Sequence, residues 1–148
     1  MFKKIFAVSC SVLLLASCSH HSNKKYIATI NIKELAQTSY CKDPMLALQK
    51  KYQPQFKNLE SKAKKLEKNK ANHLKLEKIE NELRTLSQKA QSESQQLEQN
   101  CINGIKDGAK QVAQNRGYEL VVPSQIAIYS DKDSNITSDV KTILLDKK

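Results

Sequence analysis

Between residues 52 and 66 the apolar side chains return in steps of four, three, four and three, as Tyr52, Phe56, Leu59, Ala63 and Leu66. This is a heptad seam, the pattern that keeps one stripe of a helix facing a partner. It stops at "EKNKANHLK" and resumes at Leu76, Ile79, Leu83, Leu86 and Ala90 with steps of three, four, three and four. Through "SQKAQSESQQLEQN" the seam weakens, and it returns at Leu97, Cys101, Ile105 and Val112. Two seams separated by a short polar break predict an antiparallel helical hairpin. "KDPMLALQ" supplies a start signal, with Asp43 as N-cap and Pro44 at the first helical position. Gly117 ends the second helix as a glycine just past a C-terminus does. The arm therefore spans residues 43–116, and its first helix, 43–68, is about 39 Å long at roughly 1.5 Å per residue. Pro54 removes one backbone donor inside that helix and predicts a kink. The rest of both helices is mostly Lys, Gln, Asn, Glu and Ser, so the hairpin must project from a body or associate.

The flanks supply the body. "KYIATINI" is a short β-prone run, after which Asn31 caps a brief helix, "IKELAQTS". Beyond Gly117, "YELVV" and "IAIYS" are two further β-prone runs, and Pro123-Ser124-Gln125 between them predicts a hairpin connection. The tail predicts a last helix with Thr137 as N-cap, Asp139 in the first turn, and Val140, Ile143 and Leu144 as its apolar face. The fold class is α+β, mainly α: a small β-body carrying a long antiparallel helical hairpin.

The front of the chain sets the compartment. "MFKK" followed by the 13 apolar or small residues "IFAVSCSVLLLAS" has the layout of a secretory leader and is too short to span a bilayer. Leu15-Ala16-Ser17-Cys18 resembles a bacterial lipobox, which implies a thioether-linked diacylglycerol on Cys18 and cleavage just before it. The chain then divides into a leader at 1–17, a lipidated cysteine with its tether at 18–25, and a folded domain at 26–148. Resemblance to sorted lipoproteins with Ser19 in this position implies a periplasmic protein lipid-anchored to the outer membrane. His20 and His21, in the polar stretch "SHHSNKK", read as linker rather than metal ligands. Two of the 25 basic residues lie in the leader, so 23 remain against 15 acidic ones, a net of +8. Such a balance commonly points to nucleic acid. An exported lipoprotein meets little of it, so the partners to consider are anionic lipids, lipopolysaccharide and acidic polypeptides.

Cysteine usage fits that compartment. Cys10 leaves with the leader and Cys18 carries lipid, which leaves Cys41 and Cys101 where disulfides persist. Their midpoint in the numbering falls at Ala71, inside the break between the seams, so folding there brings the two together near the base of the hairpin. The expectation is an intrachain disulfide; the other reading leaves Cys101 as a small seam residue and Cys41 as a free or intermolecular thiol. Nothing points to an enzyme or a cofactor. The three glycines, Gly104, Gly108 and Gly117, form no phosphate-cradling loop, and no metal-ligand spacing or catalytic triad is recognisable. Gly104 and Gly108 instead predict close packing at the helix base.

Taken in order, the first strand, the basic hairpin, "VAQNRGYELVVPSQIAIYS" and "SNITSDVKTIL" resemble the Skp/OmpH family of periplasmic chaperones. "IATINIKELAQTS" resembles that family's first strand and short helix; "GYELVV", "IAIYSD" and "ITSDV" resemble its last strands and final helix. The resemblance runs from Tyr26 to about Leu145. It implies a homotrimer with a shared β-body and three arms around a cavity, acting as an ATP-independent holdase for unfolded outer-membrane β-barrel proteins. The charge distribution adds a mechanism. Between Lys50 and Ala90 there are 12 Lys or Arg and 5 Glu, a net of +7, so nearly all of the mature excess lies on the arms. Lys57, Lys64, Lys65 and Lys75 are the candidate client-binding residues. Members of the family are soluble, and the lipobox departs from that. Two other readings stay open: a helical spacer between outer membrane and cell wall, in which Lys148 of the terminal "DKK" would join peptidoglycan, and a lipopolysaccharide-binding accessory module.

Overall fold

The computed structural model describes residues 25–67 and 73–147. In chain order these form β1 (Lys25–Ile30), α1 (Ile32–Ala36), α2 (Ser39–Glu67), α3 (His73–Arg116), β2 (Tyr118–Pro123), a 3₁₀ turn (Lys132–Ser134) and α4 (Thr137–Asp146). The α+β architecture is the one expected: two long helices, a small β element and short helices around it. The expected turn of the hairpin, with Ala71, lies outside the described residues, as do Cys10, Cys18, the tether histidines and Lys148.

The body is closed by the two ends of the chain. β1 and β2 pair in parallel, with Lys25 opposite Tyr118 and Ile30 opposite Pro123. Parallel pairing needs a crossover, and here the whole hairpin serves as one. Ala28 and Ile30 of β1 and Val121 of β2 face the C-terminal part of α3, where Ile105, Ala109, Val112 and Ala113 are packed with Leu35 of α1 and with Ile136, Val140 and Leu144. Leu35, Ile136, Val140 and Leu144 are the largest fully buried side chains. Val140 and Leu144 lie four apart on one face of α4, as the sequence pattern predicts.

Local signals hold where nothing tertiary competes with them. The Asn31 side chain accepts a hydrogen bond from the Glu34 N–H at 3.2 Å and caps α1. Gly117 has φ +75°, the left-handed conformation that a glycine adopts at little cost after a helix.

Four expectations are corrected. First, α2 starts at Ser39, not after Asp43. The Thr38 carbonyl accepts from the Lys42 N–H at 2.9 Å, and the Thr38 hydroxyl donates to the Leu35 carbonyl at 2.7 Å, so the turn after α1 leads directly into α2. Second, Cys41 therefore lies inside the helix rather than before it. α2 is continuous through Pro44 and Pro54, whose missing N–H groups leave the Tyr40 and Lys50 carbonyls without their usual i+4 donors. Third, Thr137 is the first residue of α4 rather than its cap. Its hydroxyl is already used: it accepts from the Asn31 N–H at 2.8 Å and donates to Asn135 Oδ1 at 2.7 Å, tying the end of β1 to the start of α4. Ile136 is the N-cap, and Asn135 before it accepts from the Thr137 N–H at 3.0 Å.

Fourth, "IAIYS" forms no strand. After a turn closed by the Ile126 N–H on the Pro123 carbonyl, the chain crosses the outer face of the sheet, where Ala127 and Tyr129 line a pocket with Ile27, Thr29 and Val122. The crossing takes it to the far edge of β1, where Thr29 bridges Asn135 and the Ile136 N–H donates to the Thr29 carbonyl at 3.0 Å. A chain that must reach that edge cannot also lie beside β2. Consequently no second strand pairs with β2 on its outer edge among the described residues.

The two helix glycines make unequal contacts. A Cβ on Gly104 would stand 2.5 Å from Tyr40 Cε1, whereas one on Gly108 would meet Val140 Cγ1 at 3.2 Å. Replacing either glycine raises helix propensity by about 1 kcal/mol. Overpacking that must displace the half-buried Tyr40 ring costs about 1–3 kcal/mol. Gly104→Ala should therefore lose up to about 2 kcal/mol of stability in urea unfolding, and Gly108→Ala should lie within about 0.5 kcal/mol of wild type.

Candidate client-binding arm and its base

The arm starts where α2 leaves the body. Cys41 and Cys101 form a disulfide with Cα atoms 5.1 Å apart; with each Cα about 2.3 Å off its helix axis, that distance suits two helices packed at the ordinary spacing of roughly 8–10 Å. Beside it the Tyr40 ring takes the space that a side chain at Gly104 would fill. Cys41 is buried, and Cys101 packs half-buried against the body core.

Above the disulfide the seam follows the predicted heptads. Tyr52 is buried; Phe56, Leu59, Ala63 and Leu66 on α2, and Leu76, Leu83, Leu86 and Ala90 on α3, are half-buried, while Ile79 is buried. Partial burial of most seam positions is what a two-helix arm permits, because each helix covers only one side of the other.

One group was not foreseen from the pattern. Glu93, half-buried on α3, accepts from the Tyr52 hydroxyl at 2.8 Å and pairs with Lys51 Nζ at 2.7 and 3.0 Å. Lys51 Nζ also sits 4.9 Å from the centroid of the Tyr52 ring. The hydrogen bond from Lys51, then that from Tyr52, holds the Glu93 carboxyl below its ordinary pKa. The same bond raises Lys51, and desolvation followed by the Glu93 bond raises Tyr52. The sequence did carry a sign of this. The seam of α3 weakens through "SQKAQSESQQLEQN" because a tyrosine hydroxyl across the interface needs an acceptor there, not another leucine.

Lys57, Lys64 and Lys65 stand on α2, and Lys75 lies near the start of α3; all four are exposed, with no ion-pair partner among the described residues. Lys57 and Lys64 are one heptad apart and share a face, Lys65 is turned about 100° from Lys64, and Lys75 belongs to the other helix. They form a basic coat on the arm rather than one convergent pocket. Between the helices runs an open groove of 720 Å³ lined by Leu59, Leu74 and Leu86 together with Asn, Gln, Glu and Lys side chains. Leu74 at 80% is the most exposed apolar side chain on the arm. Larger exposed apolar residues are found on the body instead: Tyr26, Ile27, Leu120, Ile126, Ile128 and Tyr129.

The model of OmpH-like outer membrane proteins matches residues 27–144, from the first strand into the last helix. The chain belongs to the OmpH-like family. Members of this family are periplasmic chaperones rather than enzymes, and they bind unfolded outer-membrane proteins. The match covers the body and both arm helices together, so the hairpin is a part of the family fold and not an added coiled coil. A search of curated proteins finds no match. No helix among the described residues is long and apolar enough to cross a membrane, including the 44-residue α3.

Two measurements probe the base of the arm. Cys41 and Cys101 are separated by 60 residues, and closing a loop of that size restrains the unfolded chain by about 4 kcal/mol in the chain-entropy account. Reduction, or a Cys41→Ser/Cys101→Ser double variant, should lower stability by up to about that amount, read from the urea midpoint with and without reductant. The Lys51–Tyr52–Glu93 group gives a pH signature. A depressed Glu93 contributes stability that is present above the unfolded carboxylate value, about 4.3, and lost as pH falls through the folded value below it. Raised Lys51 and Tyr52 contribute stability that is present below their unfolded values, about 10, and lost as pH rises through the higher folded ones. Thermal melts should show a plateau falling at both extremes, and Glu93→Gln should flatten the acid side relative to wild type.

Proposed function

We propose that this chain is a lipid-anchored periplasmic holdase, tethered through Cys18 to the outer membrane, that captures unfolded outer-membrane β-barrel proteins as a homotrimer on its basic arms. The observation that carries the client-binding part is the one-signed coat of the arm: a net of +7 between residues 50 and 90, with Lys57, Lys64, Lys65 and Lys75 exposed. Such a surface attracts acidic unfolded chains at long range, and salt weakens the attraction. Holding a client without folding it needs many weak contacts, and mobile lysines on an extended arm supply them better than a shaped pocket.

Two features support assembly. The side of β2 that no further strand covers among the described residues, from Glu119 onward, offers an edge for pairing, which isolated proteins seldom leave unprotected. Ile126, Ile128 and Tyr129, on the segment that crosses the sheet, are exposed, as are Ile27 and Leu120, a concentration of apolar surface that a second and third copy would cover. A spacer reading finds no comparable support, because a spacer has no use for a body with its own core.

The test dilutes a urea-unfolded β-barrel protein into the soluble ectodomain lacking the lipidated cysteine and weighs the products by light scattering after size exclusion. Three copies with one client are expected. Reversing Lys57, Lys64, Lys65 and Lys75 to Glu should weaken capture roughly tenfold or more at low salt, with a smaller effect at high salt. Unchanged capture by that variant would remove the arm lysines from the mechanism, and a trimer that leaves the client to aggregate would remove the holdase.

A further inference from the structure

The topology fixes where the membrane tether leaves the molecule. α3 runs from His73 near the tip of the arm to Arg116, Gly117 reverses the chain, and β2 starts at once with Tyr118. Lys25, the first residue of β1, pairs with Tyr118. The other ends of the two strands, Ile30 and Pro123, share a groove with Ile102 and Ile105 of α3, so both strands point from the far end of the body toward the arm. The chain that precedes β1 therefore enters at the end of the body most distant from the arm tip.

Two lengths then decide the orientation. Residues 18–24 can extend to at most about 25 Å. From Arg116 back to His73, α3 covers about 65 Å at 1.5 Å per residue. A tether of that reach, fixed at the far end of the body, cannot bring the arm tip down with the body held above it.

Resting on the anchoring reading given above, we propose that the end of the body formed by the starts of β1 and β2 and the end of α3 faces the lipid headgroups, and that the arms open away from the anchoring membrane. The end so placed carries exposed Gln114 and Asn115, with Arg116 paired to Asp139 of α4, polar side chains suited to a headgroup layer and not to insertion into it. The remaining alternative is an arm lying flat, drawn down by its own positive charge. At physiological ionic strength the surface field decays over about 8 Å, so it does not reach an upright arm several times longer. The partner of the open end is then an acidic, unfolded polypeptide arriving from the side opposite the anchor.

The experiment uses the full-length chain, processed in bacteria and transferred to vesicles of phosphatidylethanolamine and phosphatidylglycerol containing acceptor-labelled headgroups. A donor dye is placed on Asn115→Cys or on Leu74→Cys, both exposed positions, with the Cys41–Cys101 disulfide intact and circular dichroism unchanged. Energy transfer should be strong at 115 and roughly fivefold or more weaker at 74, which lies about 60 Å further along α3. Equal transfer at the two positions, or stronger transfer at 74, overturns the upright orientation while leaving the anchor in place. Intact mass spectrometry of the same preparation separates the two readings, because a mature chain without a diacylglycerol thioether on Cys18 overturns the anchoring and the orientation with it.

Discussion

Everything above the body depends on how closely two helices are held at their base. Each arm helix offers a single narrow apolar stripe, and most of those side chains remain half-exposed after the helices meet. A pair joined only by such a stripe has little to stop it from splaying. At the base the restraint changes in kind. The Tyr40 ring occupies the space left by a missing side chain at Gly104, and one helical turn away the Cys41–Cys101 bond makes the approach covalent. About three turns further along α2, the Lys51–Tyr52–Glu93 group crosses the seam with directional bonds. Beyond it the arm has only its apolar stripe, half-buried except at Ile79.

This gradient of restraint suits a holding function. The core of the body, built around Leu35, Ile136, Val140 and Leu144, is fully desolvated and fixes where the arm starts. The lysine-covered portion beyond the polar crossing has fewer buried contacts and more freedom. On the proposed reading, a client held by many exposed ammonium groups would be neither shaped nor trapped by them.

Legibility in the sequence followed the range of the interactions. The heptad steps of Tyr52 to Leu66 and Leu76 to Ala90 are local periodicities, and they identified both arm helices and their antiparallel pairing. The caps at Asn31 and Gly117 are set by one or two residues and were equally readable. The segment 126–130 was misread because its β-propensity is real but its path is dictated by a distant requirement, the need for Asn135 to reach the far edge of β1. Thr137 was misplaced for a similar reason, since its hydroxyl answers a backbone donor 106 positions earlier in the chain. The basic coat was visible as composition, whereas the Glu93 acceptor was visible only as a fault in the seam until its partner was known.

The parallel pairing of β1 with β2 also separates two properties that are usually coupled. Both strands, α1, α4 and the last turns of α3 make up a unit closed on itself, and the arm is a loop of chain that leaves this unit and returns to it. Removing one heptad from each arm helix would shorten its reach by about 10 Å and leave the seam in phase. Neither the strand pairing nor the buried core would register the change. Reach is thus a free variable of this architecture, adjustable in steps of seven residues to the size of what is held and to the width of the space in which it is held.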